Sequence, residues 1–270
     1  MERTAPYSPD HSNAILTSMK SDLMQNSIRN SPLFKATVII AGVSAVISVG
    51  LLRDFPRGML NNRLLTAAQQ NNGDEIKFLL RAGADINYHD RDPYGSHAPV
   101  LMRAVESGDV ETVKLLIEKG ADVNAFNDAG ETALIEAAGF GFSEMINILL
   151  NHGANINYHA KGGNTALEAA VLNVDIESTR MLLSRGADIH LGTPLLDACY
   201  DGNHFDKAEQ IRLVKILIGK GAKVDARSES GYTALGMASY WDNDWLVEVL
   251  KNAGAVDNGK PVHLDPPAIE

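Results

Sequence analysis

An all-α solenoid of stacked helix pairs, preceded by a single transmembrane helix, is the architecture this 270-residue sequence predicts, and three observations carry it. The dipeptide Gly-Ala recurs at positions 83, 120, 153, 186, 221 and 254, in steps of 37, 33, 33, 35 and 33 residues. A second phrase opening on threonine recurs earlier in each unit: Thr132-Ala-Leu-Ile-Glu-Ala137, Thr165-Ala-Leu-Glu-Ala-Ala170, Thr193-Pro-Leu-Leu-Asp-Ala198 and Thr233-Ala-Leu-Gly-Met-Ala238. Outside the repeats, Ala36–Leu52 runs uncharged between Lys35 and Arg53. Periods in the thirties are the mark of stacked units, none of which can bury its own apolar face alone.

Each phrase has a local reason. The glycines suit the left-handed residue just past a helix C-terminus, where a Cβ would be strained. Upstream stand apolar helix ends such as Phe78-Leu79-Leu80, Leu115-Leu116-Ile117 and Ile148-Leu149-Leu150. A threonine hydroxyl can accept from a free amide at a helix start, and Pro194 after Thr193 fits the first helical position. Leu134, Ala137, Ile146, Leu149 and Leu150 are expected to join neighbouring units in one continuous core.

A 33-residue unit of turn plus two helices, with Thr-Pro-Leu-x-x-Ala opening the first and Gly120-Ala-Asp-Val-Asn124 closing the second, resembles the ankyrin repeat. The resemblance covers roughly residues 60–255 in six registers. It implies β-hairpin-like connections and a partner-binding concave face of hairpin tips and exposed first-helix positions. Carried onto this chain, the tips are Tyr88, His89, Phe126, Tyr158, His159 and Tyr232. The first-helix positions are Arg103, Glu106, Glu136, Phe140, Asp197, Tyr200, Tyr240 and Trp241. Aromatic and arginine side chains there suit interface anchors, while acidic ones steer a partner. Tyr88 and Tyr158 equally suit packing along the hairpin row, and Tyr240 and Trp245 a cover over the last unit.

Departures from the period are informative. In the first unit Asn62-Arg-Leu-Leu-Thr-Ala-Ala68 replaces the threonine phrase, and Gln69 to Asn72 fit a polar end cap. Gly83 to Pro99 is 16 residues where Gly120 to Thr132 is 12, which predicts an enlarged hairpin around Tyr94. Gly186 to Thr193 is only 7, so that hairpin should nearly vanish and break the row of tips. The usable face then lies mainly on the first four units. Gly202 to Gly221 is 19 residues where Gly141 to Gly153 is 12, and Asp206-Lys-Ala-Glu209 resembles a capping box opening a longer second helix.

The domain reading is a disordered polar tail over 1–32, a transmembrane helix or signal anchor over 33–52 and a linker over 53–61. The repeat domain covers 62–255, and an irregular tail covers 256–270. At 1.5 Å per residue, the seventeen uncharged residues span about 26 Å against a bilayer core of roughly 30 Å, and Leu33 and Phe34 extend them if Lys35 snorkels. A cleaved secretory signal starting at Met24 is the alternative, with Val43-Ser44-Ala45 as a small-residue cleavage site, and it would release a soluble exported binder or inhibitor. A buried core helix is a third reading, but the repeats bring their own core. Lys20, Arg29 and Lys35 on one flank balance Arg53, Arg57 and Arg63 on the other, so charge leaves the orientation open. Resemblance to a signal anchor leans towards an inside N-terminus with the repeats outside the cytoplasm.

Composition excludes several classes. The formal charge is −10. Residues 1–57 hold six Lys/Arg against four Asp/Glu, leaving 18 against 30 in the rest, a body of −12. Such a body does not bind nucleic acid without specificity, which needs a basic surface. One cysteine, Cys199, rules out an internal disulfide and aligns with Ala138 as a packing position. No phosphate-binding glycine loop, His-Glu-x-x-His, Gly-x-Ser-x-Gly or Cys-x-x-Cys occurs. His89 and His159 hold equivalent hairpin positions in non-adjacent units, too far apart for shared metal ligation, with Phe126 between them. Glu136 and Glu168 read as repeated surface positions. The expectation is a non-catalytic protein-interaction module with another protein and a membrane as partners, and with no cofactor, metal, nucleic acid or small-molecule substrate.

Overall fold

The computed structural model describes residues 56–90, 96–161, 164–200, 206–228 and 230–256. The predicted membrane span 33–52, the polar tail 1–32, the enlarged hairpin at Tyr94, the insertion after Gly202 and the tail beyond Val256 all lie outside the described residues. Among the described residues, no helix is long and apolar enough to cross a membrane.

Twelve helices are present among these residues: α1 Arg57–Gln69, α2 Gly73–Arg81, α3 Val100–Glu106, α4 Val110–Glu118, α5 Ala133–Gly139, α6 Ser143–Asn151, α7 Ala166–Leu172, α8 Ile176–Ser184, α9 Pro194–Asp197, α10 Lys207–Gly219, α11 Ala234–Tyr240 and α12 Asp244–Asn252. They divide between two compact units. The first holds 56–67 with Asn72–Asp85, the second Ala68–Asn71 with Ile86 onward. In the first, Leu60, Leu64, Ile76 and Leu79 are buried, and Asn72 caps α2 by accepting from the Glu75 amide. The second unit has two rows. The first helices α3, α5, α7, α9 and α11 touch in succession, and so do the second helices α4, α6, α8, α10 and α12.

The helix ends explain why the glycines recur. At the end of α6, Gly153 at φ +88° donates to the Leu150 carbonyl, and Ala154 donates to the Leu149 carbonyl at 3.0 Å. That pair of bonds satisfies two carbonyls that the helix itself leaves free. Ala follows because its methyl turns inward, so Ala84, Ala121 and Ala222 are buried. The matching residue after the first helices is Gly108 or Gly141 in two units, but Val174 in a third, at φ +52°. A β-branched residue there carries backbone strain.

Thr132, Thr165 and Thr233 each accept a backbone N–H of the first turn. Thr193 differs from expectation. Its hydroxyl caps nothing, α9 is a single turn, and only the proline at the helix start behaves as foreseen. The core forms as expected around Leu134, Ala137, Ile146 and Leu149, while Leu150 is half-buried. Cys199 is buried, and burial beside Asp197 pushes its thiol pKa up, the reverse of what a nucleophile needs.

Successive Gly-Ala phrases in the second unit are tied by side chains. The Asn87, Asn124 and Asn157 carbonyl oxygens accept from the backbone N–H groups of Asp122, Asn155 and Asp188 in the following units, at 2.8–2.9 Å. Asp225 accepts from Val256 in the same way. His190 stands where the next carboxamide would be, and the series skips that step.

Candidate functional site

The connections between units project hairpins closed by short antiparallel bridges, His89 with Pro99 and Phe126 with Thr132. Tyr88, His89, Phe126, Tyr158 and His159 all stand on this hairpin row. Phe126 is 48% exposed, and its ring stacks on Tyr158 with centroids 6.4 Å apart. Tyr158 therefore packs along the row and is half-buried. His89 and His159 are exposed, and Tyr88 is half-buried. Tyr232 corrects the expectation. It is 2% exposed, its side chain turned into the fold instead of to a partner.

The first-helix row contributes two further groups. Phe140 caps α5, is 50% exposed and lies 5.4 Å from the Phe142 ring. On α11 and the residue after it, Tyr240 and Trp241 meet edge-on at 5.4 Å, and Trp241 meets Tyr200 edge-on at 5.5 Å. Tyr240 is 45% exposed, whereas Trp241 is half-buried and its indole N–H finds no acceptor. Trp245 holds a structural position, its ring face 4.5 Å from the Lys207 ammonium of α10.

Charge on this row is acidic and uneven. Arg103 donates from Nη1 to both Glu106 oxygens at 2.9 Å and from Nη2 to Asp90 at 3.1 Å, so its charge is already shared. Glu136 holds the fourth position after Thr132, as Arg103 does after Pro99. Burial pushes the Glu136 carboxyl up to about 8, repulsion from Glu106 and Glu131 adds to that, and Arg103 partly opposes it. Its Oε2 is buried and makes no hydrogen bond. Asp197, at the same position of α9, is also raised to about 8, first by burial and then by Glu168. Neither is the freely solvated carboxylate that the repeat pattern suggested.

Glu168 departs further from its expected surface role. It is 4% exposed and completes a capping box with Thr165, one carboxylate oxygen accepting from both the backbone N–H and the hydroxyl of that residue. The other oxygen accepts from the Thr193 N–H at 2.8 Å, so one side chain joins α7 to the start of α9. The signal for it was readable in the Thr165-Ala-Leu-Glu168 spacing.

Among the described residues, no group of three His, Cys, Asp or Glu is placed to hold a metal. The arrangement instead offers apolar ring faces beside half-buried acids on an open surface, which suits the side chains of another protein.

Two rows of short helices, joined by projecting hairpins, define a stacked-repeat scaffold. The family profile described as "Ankyrin repeats (3 copies)" matches residues 23–127 and 101–193. The chain belongs to the ankyrin-repeat family. Among solved structures it is similar to the human ASB11 ankyrin repeat domain, with 28% identity and a TM-score of 0.59 over 73% of this chain and 85% of that one. It is also similar to an ankyrin repeat domain from Acinetobacter baumannii AYE, at 27% identity and a TM-score of 0.62 over 72% of this chain and 98% of that one. No curated protein matches in sequence. Ankyrin repeats suggest a protein–protein interaction module.

Proposed function

We propose that the chain is a membrane-anchored interaction module that binds another protein through its hairpin tips and first-helix row, without catalysis of its own. The helix pairs from α1 to α12 act as six ankyrin repeats, four of them carrying most of the contact surface. One observation carries the choice of face. Four large apolar side chains are exposed among the described residues, and three of them, Phe126, Phe140 and Tyr240, stand at those tips and helix ends. Large exposed aromatics are costly to leave in water and are enriched among interface anchors.

In this reading Phe126 with Tyr158, Phe140, and Tyr240 with Tyr200 and Trp241 supply ring faces. Tyr88, His89, His159, Arg103 and Glu136 supply orientation. Capture of a partner by crosslinking in the native host tests it. Phe140→Ala and Trp241→Ala should weaken capture while leaving helicity intact. Undiminished capture by both would move the interface elsewhere.

Residues 33–52 supply the anchor. Support comes from the uncharged run and its basic flanks, with the repeats outside the cytoplasm as the orientation favoured by a signal-anchor pattern. Intact mass of the mature chain tests this. A mass that begins near Val46 would instead make it a released binder.

A further inference from the structure

The second-helix row carries a feature that the interaction face just proposed does not use. An open groove runs between α8 and α10, lined by Arg180, Ala208, Ile211, Arg212, Lys215 and Ile216. Arg180, Arg212 and Lys215 are exposed, while Ile211 and Ile216 are half-buried below them. None of the three cations makes an ion pair or side-chain hydrogen bond among the described residues. Arg103 by contrast is held by Glu106 and Asp90, and Lys114 by Glu111 and Glu144. The cluster gathers three cations without an ion pair among the described residues, on a chain whose formal charge is −10.

One wall of the groove, α10, is unlike the other second helices. It runs 13 residues, where α4, α6, α8 and α12 run 9. Asp206 caps it by accepting from the Ala208 and Glu209 amides, which allows the extra turn. That turn contributes Ala208 to the groove's lining.

We propose that this groove is a second docking site, which takes a segment of a partner protein that presents apolar side chains flanked by carboxylates. Charge complementarity selects acidic over basic segments, and the half-buried isoleucines offer apolar surface to side chains laid across them. A bilayer surface fits less well, because the apolar atoms lie beneath the cations and do not project beyond them. The site is independent of the hairpin and first-helix face, so either assignment can fail alone.

The test is fluorescence anisotropy of the full chain with a labelled acidic decapeptide carrying two leucines and four glutamates, beside a version with lysines for the glutamates. The acidic peptide should bind and the lysine version should not. Arg212→Glu with Lys215→Glu should weaken binding by about tenfold or more, and raised salt should weaken it in the wild type. Phe140→Ala should leave it unchanged. Circular dichroism should show the charge-reversed chain fully helical, and Ile211→Ser, which keeps the charges, should also weaken binding. Equal binding of both peptides, or acidic-peptide binding that survives charge reversal, would overturn the proposal. So would co-sedimentation with phosphatidylserine vesicles in the absence of peptide binding, or a self-association abolished by Arg212→Glu, each of which would assign the groove to another occupant.

Discussion

Asn124 and Asn155 stand 31 residues apart, and the side-chain oxygen of the first accepts the backbone N–H of the second at 2.8 Å. The Asn124 amide in turn donates to the Gly153 carbonyl at 3.1 Å, so one carboxamide serves a donor and an acceptor of the next unit. This is the physical content of the last residue in Gly-Ala-Asp-Val-Asn. It reads as a turn residue, yet it binds one repeat to the next. Asn124→Ala hands both exposed backbone groups back to water and is expected to destabilise by about 1 kcal/mol, with Asn124→Asp retaining part of the loss. Urea unfolding monitored by circular dichroism measures it.

Gly153 separates backbone strain from steric crowding. A Cβ added there meets nothing within 4 Å, so the cost of a side chain comes from φ alone. Gly153→Val should destabilise by roughly 1 kcal/mol or more, and Gly153→Asn by clearly less, because asparagine tolerates the left-handed region. Equal melting temperatures for all three chains would refute the cap assignment.

Gly192 presents the opposite case. At φ +72° a Cβ there would lie 1.7 Å from Glu168 Oε1, inside the carboxylate that holds Thr193. Gly192→Ala is expected to cost more than 2 kcal/mol, by strain and by displacement of a buried carboxylate. Adding Glu168→Ala to Gly192→Ala should cost less than the two losses summed, since the second change removes the clash. A double-mutant cycle in urea checks the coupling.

Glu136 and Asp197 predict a pH dependence. Both carboxyls titrate near 8 in the folded chain, above their ordinary values of 4.5 and 3.8. A carboxyl raised by folding favours the folded state most below its unfolded pKa. That contribution is lost as the pH rises towards 8. The wild type should therefore lose stability between about pH 4.5 and 8 relative to a Glu136→Gln, Asp197→Asn chain. The difference should reach roughly 1–2 kcal/mol, less than the full linkage value because neither side chain is wholly removed from water. Thermal melts of both chains at pH 5 and pH 8.5 measure it, and parallel curves would contradict the burial argument.

Much of this fold could be read from particular residues because their reasons are local. Gly120 and Gly153 announce positive φ, Thr132 and Thr165 announce helix starts, and Asp206 announces the longer α10. What depends on tertiary packing could not be read that way. Tyr232 aligns with the half-buried Glu131, and only the packed structure buries it. Thr193 carries the family phrase, but the shortened hairpin hands its amide to Glu168 and leaves the hydroxyl uncapped. Glu136 occupies an outward position by register, yet neighbouring side chains exclude water from it. At the candidate face, the exposed Phe126, Phe140 and Tyr240 stand where the resemblance implied, while pairings such as Phe126 with Tyr158 needed the structure.

The central claim is that the hairpin and first-helix rows meet a partner protein, and site-specific photo-crosslinking in the native host addresses it most directly. A photoreactive residue at Phe126 or at Phe140 should give one discrete protein adduct. The same residue at exposed Glu144 on α6 should not give that adduct. The same adduct formed from Glu144 and from neither aromatic position would contradict the account.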